Sequence, residues 1–315
     1  MLATAYLALA LFVVAGTASP DQQRTLQQAT ALNAQALQAS QQGRYAEAIP
    51  KAQEALALRE RALGAEHPDV AASLNTLGWV YFQQSRYGEA EPLYQRALAI
   101  QEKVLGPEHA EVAQTLDNLV LVYFRQDRPK EAEPLARRAA AIEEKLFRPT
   151  DARVGRALNI LALNYRTEAR YDEAEPLARR ALEIIESKRG AQHPGVGYVQ
   201  NNLAVIHRSQ GRSELAEAEA RRALAIYEKA LGPDHPDVAT SLQVLASVYR
   251  QQGRNAEAEP ALRRALAIYE SPNLPPNNVR KAEVLENLAG VYRSLGRVPE
   301  ADEAQARAAI LRTMR

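Results

Sequence analysis

The sequence predicts an all-α protein built as a solenoid of about seven helix–turn–helix repeats. A short motif returns every 42 residues, as HPDV at His67, HAEV at His109, DARV at Asp151, HPGV at His193 and HPDV at His235. Between these motifs, apolar residues recur at three- and four-residue intervals, which is the helical period. Alanine and leucine dominate the composition, which favours helix throughout. A helix pair cannot bury its apolar face alone, so successive pairs are expected to stack.

Each repeat divides into two predicted helices, such as LQVLASVYRQQGR from Leu242 and NAEAEPALRRALAIYE from Asn255. An arginine opens the second helix, preceded by glycine or by Ser85, Asp127 or Ala169. The first helix carries an aromatic residue at its contact with its neighbour, and the second carries alanine, which lets the two helices approach closely. These residues are Tyr81, Tyr123, Tyr165, His207, Tyr249 and Tyr292 on the first helices, and Ala48, Ala90, Ala132, Ala174, Ala216, Ala258 and Ala301 on the second.

The segments LNTLGWVYFQQSRYGEAEPLYQRALAIQEKVLGPEHAEV from Leu74 and LQVLASVYRQQGRNAEAEPALRRALAIYE from Leu242 resemble the tetratricopeptide repeat. The resemblance is to the 42-residue form found in kinesin light chains and in many bacterial proteins. HEAT-type repeats have a similar length, but the tyrosine, glycine-arginine and alanine positions favour the tetratricopeptide repeat. The resemblance implies a right-handed superhelix whose first helices line a concave groove. It also implies protein or peptide recognition and not catalysis.

The motif LGPDHPDV at Leu231 to Val238 places His235 between two aspartates, so it has two interpretations. A helix cap fits better, because Gly232 ends one helix and Pro236 suits the first turn of the next. Asp151 replaces histidine in the third copy, and aspartate is itself a good cap. A metal or acid–base site would need converging ligands, whereas these histidines fall one per repeat in separate loops. His207 is expected to be a packed core histidine.

The composition limits the classes of function that the chain is expected to have. Lysine plus arginine total 39 and aspartate plus glutamate 38, so bulk charge does not argue for a nucleic-acid partner. There is no cysteine, which excludes disulfides and thiolate chemistry. No converging set of reactive residues emerges. We therefore expect no enzymatic activity, no cofactor, no metal and no small-molecule substrate. Glutamate–arginine pairs at four-residue spacing on the second helices, such as Glu133 and Arg137, predict a solvated outer face.

Residues 1–19 are predicted to be a signal peptide or an N-terminal anchor, and residues 20–315 to be the repeat array. The segment is apolar from Leu2 to Ala15 and then continues with small residues, as at a cleavage site. It has no lysine or arginine before the apolar run, so an uncleaved anchor and a wrongly assigned start remain open. The expectation is an exported protein, periplasmic or secreted, in a bacterial cell envelope; the alternative is an N-terminally membrane-anchored one.

A ligand is expected on the first helices, opposite their core side of Leu74, Leu77 and Tyr81. Amides recur there, and an amide gives and accepts a hydrogen bond, which suits an extended peptide backbone. The alternative is that these amides bond the neighbouring helix. In the kinesin light chain family, which the chain resembles, asparagines of an LNNLA-like segment contact peptide. The candidate amides are Asn75, Asn159, Asn201 and Gln243, in line with Asn33.

The predicted groove changes character along the chain. Its early part is apolar, with Trp79, Phe82, Leu121 and Phe124. Its later part carries a row of arginines, Arg166, Arg208, Arg250 and Arg293. Like charges in one row are mildly unfavourable, and an acidic ligand would relieve them. The alternative is that the arginines are solvated arms, some of them paired with nearby carboxylates.

The sequence therefore predicts a protein-interaction module that binds an extended peptide or partner segment with an apolar end and an acidic end. The second hypothesis is a structural scaffold of the cell envelope that self-associates through the ends of the array and has no dedicated peptide site. Two irregular places are expected, where LFRPTDARV ends copy three without a glycine stop and where the proline-rich ESPNLPPNNVRKAE ends copy six.

Overall fold

The computed structural model describes residues 19–272, 274 and 278–313. The predicted signal peptide or anchor lies outside the described residues, apart from Ser19. The chain divides into two compact units, Met1–Val122 and Tyr123–Arg315. None of the described helices is long and apolar enough to cross a membrane.

All regular secondary structure in the described residues is α-helical, as predicted. The odd-numbered helices are the first helices of the successive pairs, and the even-numbered helices are the second. The first unit holds α1 Pro20–Gln41, α2 Tyr45–Leu63, α3 Pro68–Gln83, α4 Tyr87–Leu105 and most of α5 Ala110–Arg125. The second unit holds the end of α5, α6 Pro129–Leu146, α7 Ala152–Thr167, α8 Tyr171–Arg189, α9 Pro194–Ser209, α10 Ser213–Leu231, α11 Pro236–Gln251, α12 Asn255–Glu270, α13 Asn278–Ser294 and α14 Val298–Thr313.

The predicted core positions are buried. Leu74 and Leu77 of α3 are almost sealed from solvent, and burying a leucine side chain contributes about 1.5–3 kcal/mol. Val80 of the same helix packs against Ala48 and Ile49 of α2, so each first helix also covers the second helix of the preceding pair. Every alanine of the predicted column is fully buried: Ala48, Ala90, Ala132, Ala174, Ala216, Ala258 and Ala301.

The turn inside each pair contains one residue in the left-handed backbone conformation, at the end of the first helix. The residue before the arginine has a positive φ, from 59° at Ala169 to 77° at Gly211. The arginine N–H then donates to the carbonyl five residues earlier, as from Arg254 to Tyr249 at 2.9 Å. This is the Schellman arrangement, which satisfies a carbonyl at the helix end.

In five of the pairs, the Schellman turn brings the arginine over the tyrosine of its own pair. The guanidinium carbon lies over the ring centroid in five copies: 4.5 Å for Arg86 on Tyr81, 4.3 Å for Arg128 on Tyr123, 4.2 Å for Arg170 on Tyr165, 4.5 Å for Arg254 on Tyr249 and 4.6 Å for Arg297 on Tyr292. Such a cation–π contact contributes about 0.5–1 kcal/mol when exposed. The tyrosine and the arginine stand five residues apart in each of these copies, although the contact between them was not predicted.

The motif between pairs is a helix cap, as predicted. The Nδ1 atom of His235 accepts a hydrogen bond from the N–H of Asp237 at 3.2 Å. His193 does the same for Gly195 at 3.0 Å, and Asp151 accepts from Arg153 at 3.0 Å through its carboxylate. The junction without a glycine stop is closed by Arg153, whose guanidinium carbon lies 3.3 Å from the centroid of the Phe147 ring. The other irregular segment lies partly outside the described residues.

The glutamates predicted to form a solvated outer face are instead largely buried. The Glu217 side chain is 12% exposed, because it bridges Arg221 of its own helix and Arg254 of the next pair, at 2.6 and 2.7 Å. Glu133, Glu175 and Glu259 make equivalent bridges to Arg170, Arg212 and Arg297. The four-residue pairs are confirmed, but the same carboxylates also join successive pairs.

Polar residues cover the outer faces of both terminal helices. In α1, exposed Gln28, Gln35 and Gln38 stand where α3 has buried Val70, Leu77 and Val80. In α14, exposed Gln305 and Arg312 stand at the positions of buried Leu262 and Tyr269 of α12. These faces resemble the polar caps that solenoids need.

Candidate ligand-binding surface of the first helices

We define the ligand face as the face of the first helices that carries Asn75, Trp79 and Phe82 and their equivalents at 42-residue steps. In the first unit this face holds two half-buried aromatic side chains, Trp79 and Phe82. The Trp79 and Phe82 rings stack with centroids 5.5 Å apart and planes 18° apart. Tyr87, which opens α4, adds a tilted ring 5.5 Å from Phe82. Tyr87 was not among the predicted site residues, because it lies on the second helix.

The asparagines of the ligand face connect successive first helices. The Nδ2 atom of Asn75 donates to the Thr115 hydroxyl at 2.8 Å. In the other unit, Asn201 donates to the Ser241 hydroxyl at 2.7 Å. Asn33 makes the same bond to Ser73 at 3.0 Å, so the partner is 40 residues later each time. The alternative that these amides bond the neighbouring helix is thus confirmed for all three.

The hydroxyl groups of Ser73 and Thr115 each form a second hydrogen bond. Ser73 also accepts a hydrogen bond from Arg59 at 3.0 Å, and Thr115 donates to Gln101 at 2.7 Å. These two bonds come from the preceding second helix. Within this network Asn33 and Asn201 are buried, 8% and 7% exposed, and Asn75 is half-buried. Direct peptide contact by Asn75, Asn159, Asn201 and the half-buried Gln243 stays a prediction.

Asn159 of the fourth copy lacks a hydroxyl partner of this kind, because Val199 stands 40 residues after it. Asn159 instead accepts a hydrogen bond from the Nδ2 atom of Asn202 at 3.1 Å. Both residues are buried, so α7 and α9 also contact through a polar pair.

The arginine row of the second unit is the strongest candidate for a binding site. Arg166, Arg208 and Arg250 lie in the last turns of α7, α9 and α11. Within the described residues, none of these three guanidinium groups is within 4.0 Å of a carboxylate. We call these three residues the groove arginines. Phe124 holds the equivalent position one copy earlier and is half-buried, with the Arg125 guanidinium carbon 5.8 Å from its ring centroid.

Arginines at the same spacing on the second helices are paired. Arg180 lies 2.6 Å from Glu144, Arg222 2.7 Å from Glu186 and Arg264 2.5 Å from Glu228. We call Arg180, Arg222 and Arg264 the paired arginines. The contrast shows that the groove arginines lack partners because of their position and not because carboxylates are scarce.

The surroundings of Arg166 disfavour an uncompensated cation. Burial lowers the pKa of Arg166, and the positive charges of Arg208 and Arg125 lower it further, against an opposing effect of Tyr198. The Nε atoms of Arg166 and Arg208 are buried and donate to no acceptor in the part of the chain that the structure describes. A guanidinium does not deprotonate in proteins, so these groups remain charged with unused donors.

Arg250 is held in place although it is exposed. Its Nη1 atom donates to Asn287 Oδ1 at 3.0 Å. Its Nη2 atom would lie 2.8 Å from a Cβ at Gly290, so glycine is needed there for the guanidinium to rest on α13. Arg293, the fourth predicted member, differs because it lies 3.9 Å from Asp302.

A second polar cluster lies in the core of the fifth pair. His207 is 1% exposed, with Nδ1 2.7 Å from Glu219 and Nε2 3.1 Å from Glu175. Gln200 and Glu219 occupy positions that carry leucine in α3 and α4, namely Leu74 and Leu93. The prediction that His207 is a buried core residue is confirmed, but its carboxylate partners were not foreseen.

The two carboxylates beside His207 differ in their environment. Burial raises the pKa of Glu219 above its usual range, although His207 opposes the shift. Burial would also raise the pKa of Glu175, but hydrogen bonds from Arg212, His207 and Gln210 outweigh it and lower that pKa to about 2. Among the described residues, no group of three or more acidic or histidine side chains is arranged to hold a metal ion.

The fold and the ligand face define an α-helical repeat scaffold. Models of the tetratricopeptide repeat match residues 27–103, 81–145, 153–229 and 199–271, and a further one matches residues 244–312. The chain belongs to the tetratricopeptide repeat family. No sequence among the curated proteins matches it.

Several solved structures share the fold. A kinesin light chain repeat protein from Podosopora anserina is 28% identical, with TM-score 0.52, and the match covers 64% of this chain and 95% of that one. BtubC (BKLC) from P. vanneervenii is 21% identical, with TM-score 0.56, covering 73% and 91%. Aspartyl phosphate phosphatase F from Bacillus subtilis is 14% identical, with TM-score 0.68, covering 93% and 72%. The prediction of a kinesin light chain-like repeat array is thereby confirmed.

Proposed function

We propose that the chain is a protein-interaction module whose second unit binds an acidic, extended segment of a partner protein on the ligand face. The family supports the general class, since tetratricopeptide arrays are typically non-catalytic interaction scaffolds. The observation that carries the specific proposal is the row of groove arginines without carboxylate partners. A carboxylate can take up the free donors of a guanidinium in a bidentate pair.

The aromatic cluster of Trp79, Phe82 and Tyr87 in the first unit is a separate apolar surface. Aromatic side chains that are half-exposed suit apolar or proline-containing segments. We propose that it takes up an apolar part of a partner.

The competing hypothesis is a scaffold that self-associates through its ends. The outer faces of α1 and α14 carry glutamine and arginine at positions that are apolar in α3 and α12. Such faces give a second copy little apolar surface to bury.

The test is a binding titration with a fluorescein-labelled peptide of glutamate, serine and glycine. The variant R166A/R208A/R250A removes the groove arginines. The matched control, R180A/R222A/R264A, removes the same charge from the paired arginines. With roughly 0.5–1 kcal/mol for each exposed ion pair, the first variant should lose about tenfold to a hundredfold in affinity.

The control variant should bind nearly as well as the wild type and keep a similar salt dependence. Equal losses of affinity in both variants would show that only the net charge of the protein matters, and would contradict the proposal. Circular dichroism of both variants checks that the helices are retained.

A further inference from the structure

The first helices of the second unit contact each other directly, so the groove arginines form a row with a defined spacing. Asn202 of α9 donates to Asn159 of α7 at 3.1 Å. Asn201 of α9 donates to Ser241 of α11 at 2.7 Å. Each bond joins two short side chains, so neighbouring first helices lie at packing distance. Axes of packed helices are about 8–10 Å apart.

This spacing selects the conformation and the register of a ligand that crosses the helices. An extended chain in the polyproline II conformation advances about 3.1 Å per residue with three residues per turn, so about three residues span one helix and every third side chain points the same way. A helical ligand advances about 1.5 Å per residue and would need about six. Each groove arginine lies in the last turn of its helix, so the row repeats with the helices.

The side chains of the groove arginines are restricted in position, so the spacing of the acidic residues in a ligand should affect its affinity. Arg250 is fixed by Asn287 and by the space above Gly290. Arg166 and Arg208 are half-buried, and their Nε atoms are sealed from solvent. The guanidinium groups are thus not free arms that reach any nearby charge.

The row has two ends. On one side Phe124 stands at the equivalent position and offers no charge. On the other side Arg293 faces Asp302 at 3.9 Å. Three successive copies therefore present an arginine without a carboxylate partner. A fourth acidic residue of the ligand would find no equivalent arginine.

We infer that the partner segment binds in an extended, polyproline II-like conformation with three acidic residues, each three positions after the last. This inference rests on the proposed function, because it specifies the ligand of the same arginine row. It goes beyond a general preference for negative charge, since it requires peptides of equal charge and different spacing to bind differently.

The experiment compares three labelled peptides of identical composition on the full chain. Each has three glutamates in a serine and glycine background, placed at three-residue spacing, at six-residue spacing, or consecutively. The three-residue peptide is expected to bind at least about fivefold more tightly than the other two, because only it meets all three arginines at once. A six-residue peptide that binds best would overturn the extended conformation.

A double-mutant cycle tests one contact of this register, between Arg208 and the middle glutamate of the peptide. R208A and the change of the middle glutamate to glutamine should be strongly non-additive, whereas R222A and the same peptide change should be additive. If the three peptides bind equally and R166A/R208A/R250A still weakens their binding about tenfold or more, the register is wrong and the proposed function stands. If that variant leaves the binding of all three unchanged, the proposed function fails as well.

Discussion

The His207 imidazole lies between two carboxylates, with Glu219 2.7 Å from Nδ1 and Glu175 3.1 Å from Nε2. The other pairs carry tyrosine or alanine at this position, and in five of them arginine covers the tyrosine ring. In the fifth pair, Arg212 turns instead to Glu175 at 2.8 Å. A charged network thus replaces an aromatic contact at the junction between α8 and α9.

This network makes a prediction for Glu175, whose pKa is lowered to about 2 from an ordinary value of 4.5. A lowered carboxyl pKa contributes stability that is present above pH 4.5 and is lost as the pH falls towards 2. The E175Q variant should therefore be less stable at pH 7, by up to about 3 kcal/mol. Urea unfolding of both proteins between pH 7 and pH 2 measures the difference.

The difference between wild type and E175Q should shrink as the pH falls through this range. The control variant is E183Q, which changes the exposed Glu183. It should have little effect on the free energy of unfolding at any pH. A difference for E175Q that is constant with pH would show that the carboxylate charge is not what stabilises the junction.

The turn at Ala169 predicts a stabilising substitution. Ala169 has φ 59°, where four other copies have glycine. The left-handed conformation costs a residue with a Cβ about 1–2 kcal/mol, whereas glycine adopts it freely but loses more chain entropy on folding. A169G should raise the free energy of unfolding by roughly 0.5–1 kcal/mol, measured by chemical denaturation. The exposed helical Ala309 is the control, because A309G should lower it by a similar amount. A loss of stability in A169G would contradict this account of the turn.

The first unit holds a compensating pair in its core. A Cβ at Gly78 would lie 2.9 Å from the Tyr94 ring, and Tyr94 is fully buried. At the equivalent positions, the second unit has Ala162 with Ala178. G78A should therefore destabilise by about 1–3 kcal/mol through overpacking.

Y94A alone should cost about 3–5 kcal/mol because it leaves a cavity. The double variant restores the alanine pair and should cost at least about 1 kcal/mol less than the sum of the two. Additive effects in the double-mutant cycle would show that the two residues do not compensate each other.

The periodicity of the sequence was enough to predict the helices, the alanine column and the caps, because each follows from local spacing. The hydrogen bond from Asn75 to Thr115 was not predicted, since the 40-residue offset depends on how far one helix is displaced along the next. Aligned copies do show the substitutions Gln200, His207 and Glu219. They do not show that the last two meet, because the contact depends on side-chain direction.

The arginine row was visible in the sequence, but its unpaired state was not. Nearby glutamates such as Glu173 and Glu175 were equally plausible partners for Arg166 at the level of the sequence. The structure turns those carboxylates to Arg170, Arg212 and Arg179 instead. Only the three-dimensional pairing leaves the row uncompensated.

Charge exchange tests the central claim most directly. The variant R166E/R208E/R250E and the wild type are each titrated with two labelled peptides, one with three glutamates at three-residue spacing and one with three lysines at the same positions. We predict that the wild type binds the glutamate peptide and that the variant binds the lysine peptide, each at least about tenfold more tightly than the other one. A folded variant that still prefers the glutamate peptide would contradict the claim that the groove arginines receive an acidic partner.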